Sequence, residues 1–396
     1  MNSAKNHPLP RLVRNAQSLW DDAAAMPCSL GCVSCVDRLI CGGAHNSASF
    51  FDCGDYCRCD DKATCDLVCR GNPKQFVERV REVGGLEFAN VPRAPVIPIE
   101  ALPPMVPLIE HATARVGTLH SPIVALPLYA LLDIEAGTLR YPDRAALSQK
   151  FGIDPHARLV ISGVARDRKI ERYWAAKDRP AMLEQLAALN IALITPPNFS
   201  VLTDVPRTDN LHAMKRILIT TAEMMQAGLP TALHVNARTE RDYERWAEQI
   251  AERPEIQYLA FEFATGAGRG ERLNWHVKQL NALAARVPQA LGLIVRGGAR
   301  ALEPLRGFFA AVTVIDTDAF TKSRCRQEAQ FRPDGTLVWR KHPTPRGAPI
   351  DALLQQNVAA LHSHHIVMER NHAERRNAPL RGVGAPDRAD RHASEG

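Results

Sequence analysis

Outside one short stretch this chain of 396 residues is almost free of cysteine: nine of its ten cysteines fall between Cys28 and Cys69, and Cys325 stands apart. No apolar run approaches the roughly 20 residues needed to span a bilayer, and the start, M-N-S-A-K-N-H-P-L-P, lacks the apolar segment of a secretory signal. The expectation is a cytoplasmic chain with no membrane partner. Several catalytic signatures are also missing. There is no G-x-S-x-G and no P-loop, which disfavours serine-hydrolase and nucleotide-triphosphatase chemistry, and no H-x-H follows the first apolar strand, which weakens a dinuclear hydrolase. Neither sign of charge dominates. A balance of 49 basic against 43 acidic residues leaves +6, too mild by itself to mark a nucleic-acid binder.

What the chain does have is the cysteine stretch, with Cys28, Cys32, Cys35 and Cys41 followed after eleven residues by Cys53, Cys57, Cys59, Cys65 and Cys69. Thiols this dense are an oxidation hazard in a reducing compartment unless a metal holds them as thiolates. Nine thiols suffice for two tetrahedral zinc sites with one left over; iron–sulfur clusters use the same ligand and are the alternative. From Cys28 to Arg70 there are six aspartates and four cations, so the module is net negative before its thiolates are counted. Phosphate affinity comes mainly from Lys and Arg, and a metal-stapled accessory therefore fits better than a DNA-gripping finger.

Organisation follows from composition. Residues 1–27 read as a leader, 28–90 as the Cys-rich metal-binding module closed by a short helix before Gly84-Gly85, and 91–104 as a Pro-rich strap lying on a surface. From 105 to 320 short apolar runs alternate with amphipathic stretches, the signature of βα units. Eight runs qualify as strands: M-V-P-L-I-E, I-V-A-L-P-L, R-L-V-I-S-G-V, I-A-L-I-T, T-A-L-H-V, Y-L-A-F-E-F, L-G-L-I-V-R and V-T-V-I-D. Helices are expected at 144–151, 171–189, 210–227, 240–252, 271–287 and 301–309. The fold class is α/β, a (β/α)8 TIM-like barrel. Only A-T-A-R-V-G-T-L-H-S-P separates the first two strands, which leaves an incomplete barrel or an open doubly wound sheet as alternatives. Residues 321–370 read as a basic hairpin around Pro333-Asp334-Gly335 and a last helix from Ile350, and 371–396 as a disordered tail.

In a barrel, chemistry sits where strands end. Those ends carry Glu110 and His111, Arg166 and Asp167, Asn198 and Asp204, then His234, Asn236 and Arg238, Glu262, Arg296, Asp316 and Asp318. Asp167 and Asp204 also suit helix N-caps. His234 and Glu262 lie inside apolar strands, where an ionisable side chain needs a partner or a task; a satisfied interior pair is the plain alternative. Arg296, Gly297 and Gly298 before a helix suit a phosphate. Beyond them, Lys322, Arg324, Arg326, Arg332, Arg340, Lys341 and Arg346 face only Glu328 and Asp334 in sequence, and Phe331 and Trp339 lie between the cations. Basic residues with interleaved aromatics suit a nucleic-acid strand, so Lys322, Arg324, Arg326, Phe331, Trp339, Arg340 and Lys341 are the candidate grip.

Three resemblances bear on function. The C-x3-C-x2-C of Cys28, Cys32 and Cys35 resembles the cluster motif of radical S-adenosylmethionine enzymes, which implies an iron–sulfur cluster beside a parallel-strand barrel. More widely, C-x2-C-x5-C-G-G from Cys32 and P-N-F-S-x-x-x-D from Pro197 resemble an uncharacterised domain family of bacteria, phages and mobile elements. That likeness implies a mobile-element setting and possible nucleic-acid work, with no known activity. The stretch D-T-D-A-F-T-K-S-R-C-R-Q-E-A-Q-F-R-P-D-G is similar to the segment around the catalytic aspartate of tRNA-guanine transglycosylases, barrels that carry a zinc module. On that likeness Asp316 is the nucleophile. The leading expectation is a barrel protein acting on or binding a nucleic acid or nucleotide, with His234, Glu262, Asp316 and Asp318 around the reacting group. A non-catalytic binding or regulatory protein of a mobile element is the rival.

Overall fold

The computed structural model describes residues 82–202, 207–345 and 347–377. The leader, the nine cysteines from Cys28 to Cys69 and Asp204 lie outside the described residues.

All eight runs read as strands from the sequence are strands, and all are parallel. They are β1 (Met105–Pro107), β2 (Ile123–Pro127), β5 (Arg158–Ser162), β6 (Ile191–Thr195), β7 (Ala232–His234), β8 (Tyr258–Glu262), β9 (Gly292–Arg296) and β10 (Ala311–Asp316). Five form one sheet in the order β1-β10-β9-β8-β7, and three form another in the order β2-β5-β6. Isolated parallel bridges link the two, Leu108 to Ala125 between β1 and β2, and Ile194 to Thr231 between β6 and β7. The molecule is thus an α/β protein built on parallel strands, which are apolar because both of their faces are covered.

Two cores share these strands. The larger lies between the sheets and the helices outside them. The smaller gathers Val106, Leu108, Ile123, Ala125, Val160, Leu193, Ala232, Tyr258, Ala260, Ile294 and Ile315, at least one residue from each of the eight parallel strands. Side chains alternate along a strand, so these positions define the inward parity of each. Ile99 and Leu102 of the Pro-rich strap pack against this inner cluster.

Helices α1 (Leu128–Leu131), α2 (Arg144–Phe151), α3 (Asp167–Trp174), α4 (Arg179–Ala187), α5 (Arg207–Gln226), α6 (Glu240–Ala251), α7 (Glu271–Arg286) and α8 (Leu302–Leu305) fill the connections. Local chemistry sets several boundaries. Asp143 caps α2 through the Ala146 amide at 2.8 Å, and Gly152 ends it in the left-handed region. Thr239 and Asp242 form a capping box at the start of α6. The single helix expected over 171–189 is two, because Asp178 caps a new helix whose first turn holds Pro180.

No helix joins β1 to β2. Residues 108–122 are held instead by Arg115, whose buried guanidinium donates to the carbonyls of Phe151 and Gly152 and pairs with Asp351 at 3.2 Å. Between β2 and α2 the chain inserts a two-stranded antiparallel turn, β3 (Leu132–Asp133) with β4 (Thr138–Leu139). After β10 come α9 (Asp318–Arg324), the antiparallel hairpin β11 (Gln327–Phe331) with β12 (Leu337–Lys341), and α10 (Asp351–Asn377). That last helix runs seven residues into the stretch expected to be disordered. His372 and Arg375 on it meet Glu303 at 3.2 and 3.0 Å, a tertiary anchor that composition does not reveal. No helix among the described residues is long and apolar enough to cross a membrane.

Candidate functional site at the strand ends

Inward parity carried to the carboxyl ends of the strands picks out Ser162, two residues past Val160, then His234 past Ala232, Glu262 past Ala260 and Arg296 past Ile294. The register agrees, with His234 opposite Ala260 and Glu262 opposite Arg296. Three adjacent strands therefore present an imidazole, a carboxylate and a guanidinium to one opening.

Each keeps an unused polar atom. His234 is 3% exposed, and its Nε2 has no hydrogen-bond partner. Burial pushes its pKa down to about 3, helped by the nearby Arg296 cation and opposed by a hydrogen bond to the Ala260 backbone. At neutral pH the ring is uncharged, and Nε2 is its free acceptor. Glu262, 7% exposed, accepts from the Ala264 amide at 2.7 Å through Oε1, while its Oε2 has no hydrogen-bond partner. Arg296 Nη1 stands 3.6 Å from that oxygen, within ion-pair range, and Arg296 Nε is itself unpartnered. Burial raises the Glu262 carboxyl above its ordinary range; Arg296 and the Ala264 amide pull it back. Among the described residues no hydrogen bond joins His234 to Glu262, whose Oε2 faces Arg296 instead.

Two neighbouring cavities open on these groups. A recess of about 100 Å³ is lined by Asn198, His234, Asn236, Arg238, Glu262 and Thr265 among others. A cleft of about 880 Å³ is lined by Glu110, His111, Tyr129, Ser162, Arg166 and Arg296 among others. Val164, Ala165, Ser200 and Thr265 line both. Within the recess Asn236 donates to Asn198 Oδ1 at 3.1 Å and to the Phe199 carbonyl at 2.8 Å, which fixes the loop after β6.

The remaining predicted positions fall elsewhere. Asp316 has the opposite parity to Ile315, and neither cavity includes it among its lining. Its Oδ1 accepts from the Ala319 amide in the first turn of α9 at 2.8 Å, and burial pushes its pKa up to about 6. Asp318 is exposed in the first turn of that helix. Gly297 and Gly298 have φ of 74° and 71°, and a Cβ on them would come within 2.8 Å of the Ala264 amide nitrogen and 2.6 Å of Phe263 Cβ. Their small size serves this packing. The chain then enters a 3-10 turn and the four-residue α8, a short donor for a phosphate.

On the basic hairpin, Lys322 lies over the Trp339 ring at 5.9 Å, Phe331 is stacked on His364 at 4.5 Å, and Arg326 is bound to the Ala348 carbonyl. Arg324, Arg332, Arg340 and Lys341 are exposed. Ser162, Tyr129, Lys169, Ser200 and Thr265 were not singled out by sequence; strand parity alone would have found Ser162. Among the described residues no group of three or more His, Cys, Asp or Glu side chains is placed to hold a metal ion. The chain is an α/β protein with a parallel-strand sheet and a polar opening at its strand ends. No protein-family model, curated protein or solved structure matches it.

Proposed function

We propose that the eight parallel strands form a (β/α)8 barrel whose strand-end opening is an active site for a nucleotide or nucleic acid. The barrel reading draws support from the bridges at both seams and from an inner core fed by all eight strands. One observation carries the catalytic reading: His234 Nε2, Glu262 Oε2 and Arg296 Nε, buried atoms without a hydrogen bond, sit on three neighbouring strands, with Glu262 Oε2 in ion-pair range of Arg296 Nη1. Glu262, raised toward neutrality by burial, is the general acid–base group. Neutral His234 accepts a hydrogen bond from the substrate through Nε2, and Arg296 balances charge that develops beside Glu262. Asp316 and Asp318 set the start of α9 in this reading. The exposed cations Arg324, Arg332, Arg340 and Lys341, with Lys322 against Trp339, grip the phosphate backbone outside the opening. The nine cysteines from Cys28 to Cys69 hold two zinc ions in an accessory module.

The test is titration of the full chain with labelled RNA and DNA oligonucleotides and with nucleotides, across salt concentrations. Oligonucleotide affinity should fall steeply with salt, and K322A/R324A/R340A/K341A should weaken it at least tenfold. Glu262→Gln should lower turnover of a responsive substrate by at least about a hundredfold, within the range expected for general acid–base groups. Salt-insensitive binding unaffected by the fourfold variant sinks the nucleic-acid reading. Full activity in Glu262→Gln sinks the catalytic one and favours a non-catalytic binding protein.

A further inference from the structure

Sequence places the phosphate at Arg296, Gly297 and Gly298, yet those glycines are spent on packing against Phe263 and Ala264. The opposite wall of the large cleft is better furnished. There β5 ends in Ser162 and the chain turns through residues 163–166 into α3. Ser162 is 2% exposed, points inward by strand parity, lines the cleft, and its Oγ has no hydrogen-bond partner. Helix α3 is eight residues long, and its N-cap residue Arg166 makes no side-chain cap hydrogen bond. The Lys169 amide already donates to the Arg166 carbonyl at 2.8 Å, which leaves the Asp167 and Arg168 amides for solvent or a ligand, and the helix dipole favours an anion there.

Arg166 and Lys169 flank this turn, exposed and lining the cleft, with no side-chain partner among the described residues. Arg296 lines the same cleft from β9. The anions that share it are Glu110 and Asp167, and Asp167 is engaged by the Ser200 hydroxyl at 2.7 Å. At the turn itself Arg166 and Lys169 stand against Asp167 alone, an excess of one positive charge, while Arg296 across the cleft is within ion-pair range of Glu262.

We propose that the β5–α3 turn is a phosphate subsite: Ser162, the amides at the start of α3, Arg166 and Lys169 hold a phosphomonoester, while the uncharged part of the ligand reaches the recess at His234 and Glu262. The proposal rests on the nucleotide reading of the opening and names where the phosphate goes. The Ser162 hydroxyl, buried and without a hydrogen bond, lines the same cleft as Arg166, Asp167 and Lys169.

The experiment uses the full chain with inorganic phosphate, the four ribonucleoside 5′-monophosphates and the matching nucleosides, followed by calorimetry and phosphorus-31 line broadening at low salt. R166A/K169A replaces two exposed side chains, so folding should be intact, and it should weaken phosphate and monophosphate binding at least tenfold. Nucleoside binding should stay within twofold. R166K/K169R should restore most of the loss, and Ser162→Ala should cost threefold or more. Unchanged monophosphate affinity in R166A/K169A, or no binding of inorganic phosphate or any monophosphate by the wild type, overturns the subsite. Nucleoside binding that survives in the wild type and is lost in Glu262→Gln keeps the reading of the opening in either case. Loss of all nucleoside and nucleotide binding in the wild type removes both.

Discussion

The imidazole of His234 loses its proton near pH 3 in the folded chain and near the usual 6.5 in the unfolded one. A depressed folded value gives stability that is present above the unfolded pKa and is lost as pH falls toward the folded one. Between pH 7 and pH 4 the wild type should therefore lose about 3 kcal/mol that His234→Gln does not lose, read as the change in their difference in urea unfolding. Asp316 behaves in the opposite sense. Its folded pKa of about 6 lies above the ordinary carboxylate value, so its contribution is present at low pH and lost as pH rises through 6. Asp316→Asn keeps a side-chain oxygen for the Ala319 amide, and should gain roughly 1–2 kcal/mol on the wild type between pH 4 and 7; partial exposure screens the rest. A nucleophile would add a loss of activity in Asp316→Asn to that pH-dependent gain. His234 and Glu262 were legible because an ionisable group inside an apolar strand is conspicuous. Ser162 was not, since a serine at a strand end is ordinary until the inward parity of Val160 marks its direction.

Among the elements, the eight strands could be read from their apolar runs, whereas their arrangement into two sheets joined by isolated bridges depended on residues far apart in sequence. The helix break at Asp178 was visible in principle, as an Asp two residues before Pro180 is a start signal. Less visible was how residues 82–93 are held. Lys215 of α5, fully buried, donates to the Glu87 carbonyl and the Asn90 side chain. Arg245 of α6 donates to the Leu86 carbonyl at 2.7 Å and covers the Phe88 ring at 4.3 Å. Arg253 reaches the carbonyls of Val91 and Pro92. Buried cations thus serve a backbone that has no strand or helix to satisfy it. Burial lowers the Lys215 pKa to about 8, so the tie is a charged one at neutral pH. Lys215→Ala should destabilise the fold by about 1–2 kcal/mol through loss of this partly buried tie, and should speed amide exchange at residues 86–91 ahead of the strands.

For the molecule as a whole, the cysteine stretch dominates the sequence and the strand ends dominate the described structure. Glu82, the first described residue, accepts from Trp174 Nε1 at 2.6 Å and contacts His212 at 3.1 Å. Trp174 packs edge-on to Phe199, within the loop after β6 that fixes the recess. The chain leaving the cysteines therefore joins the body beside the candidate site. If those cysteines bind zinc, protein purified without air should be colourless and carry about two zinc ions per chain by elemental analysis; visible absorbance with iron would place a cluster there. Metal identity was beyond the sequence because zinc and iron share the thiolate ligand.

Strand β1 pairs with β10, Met105 lying opposite Val314. On a ribosome adding about 5–20 residues each second, one edge of β1 would wait roughly 10 to 40 s for its neighbour to be made. During that interval an apolar strand edge is open to strangers, so the yield of this protein should depend on translation speed and on holding chaperones more than its final stability would suggest.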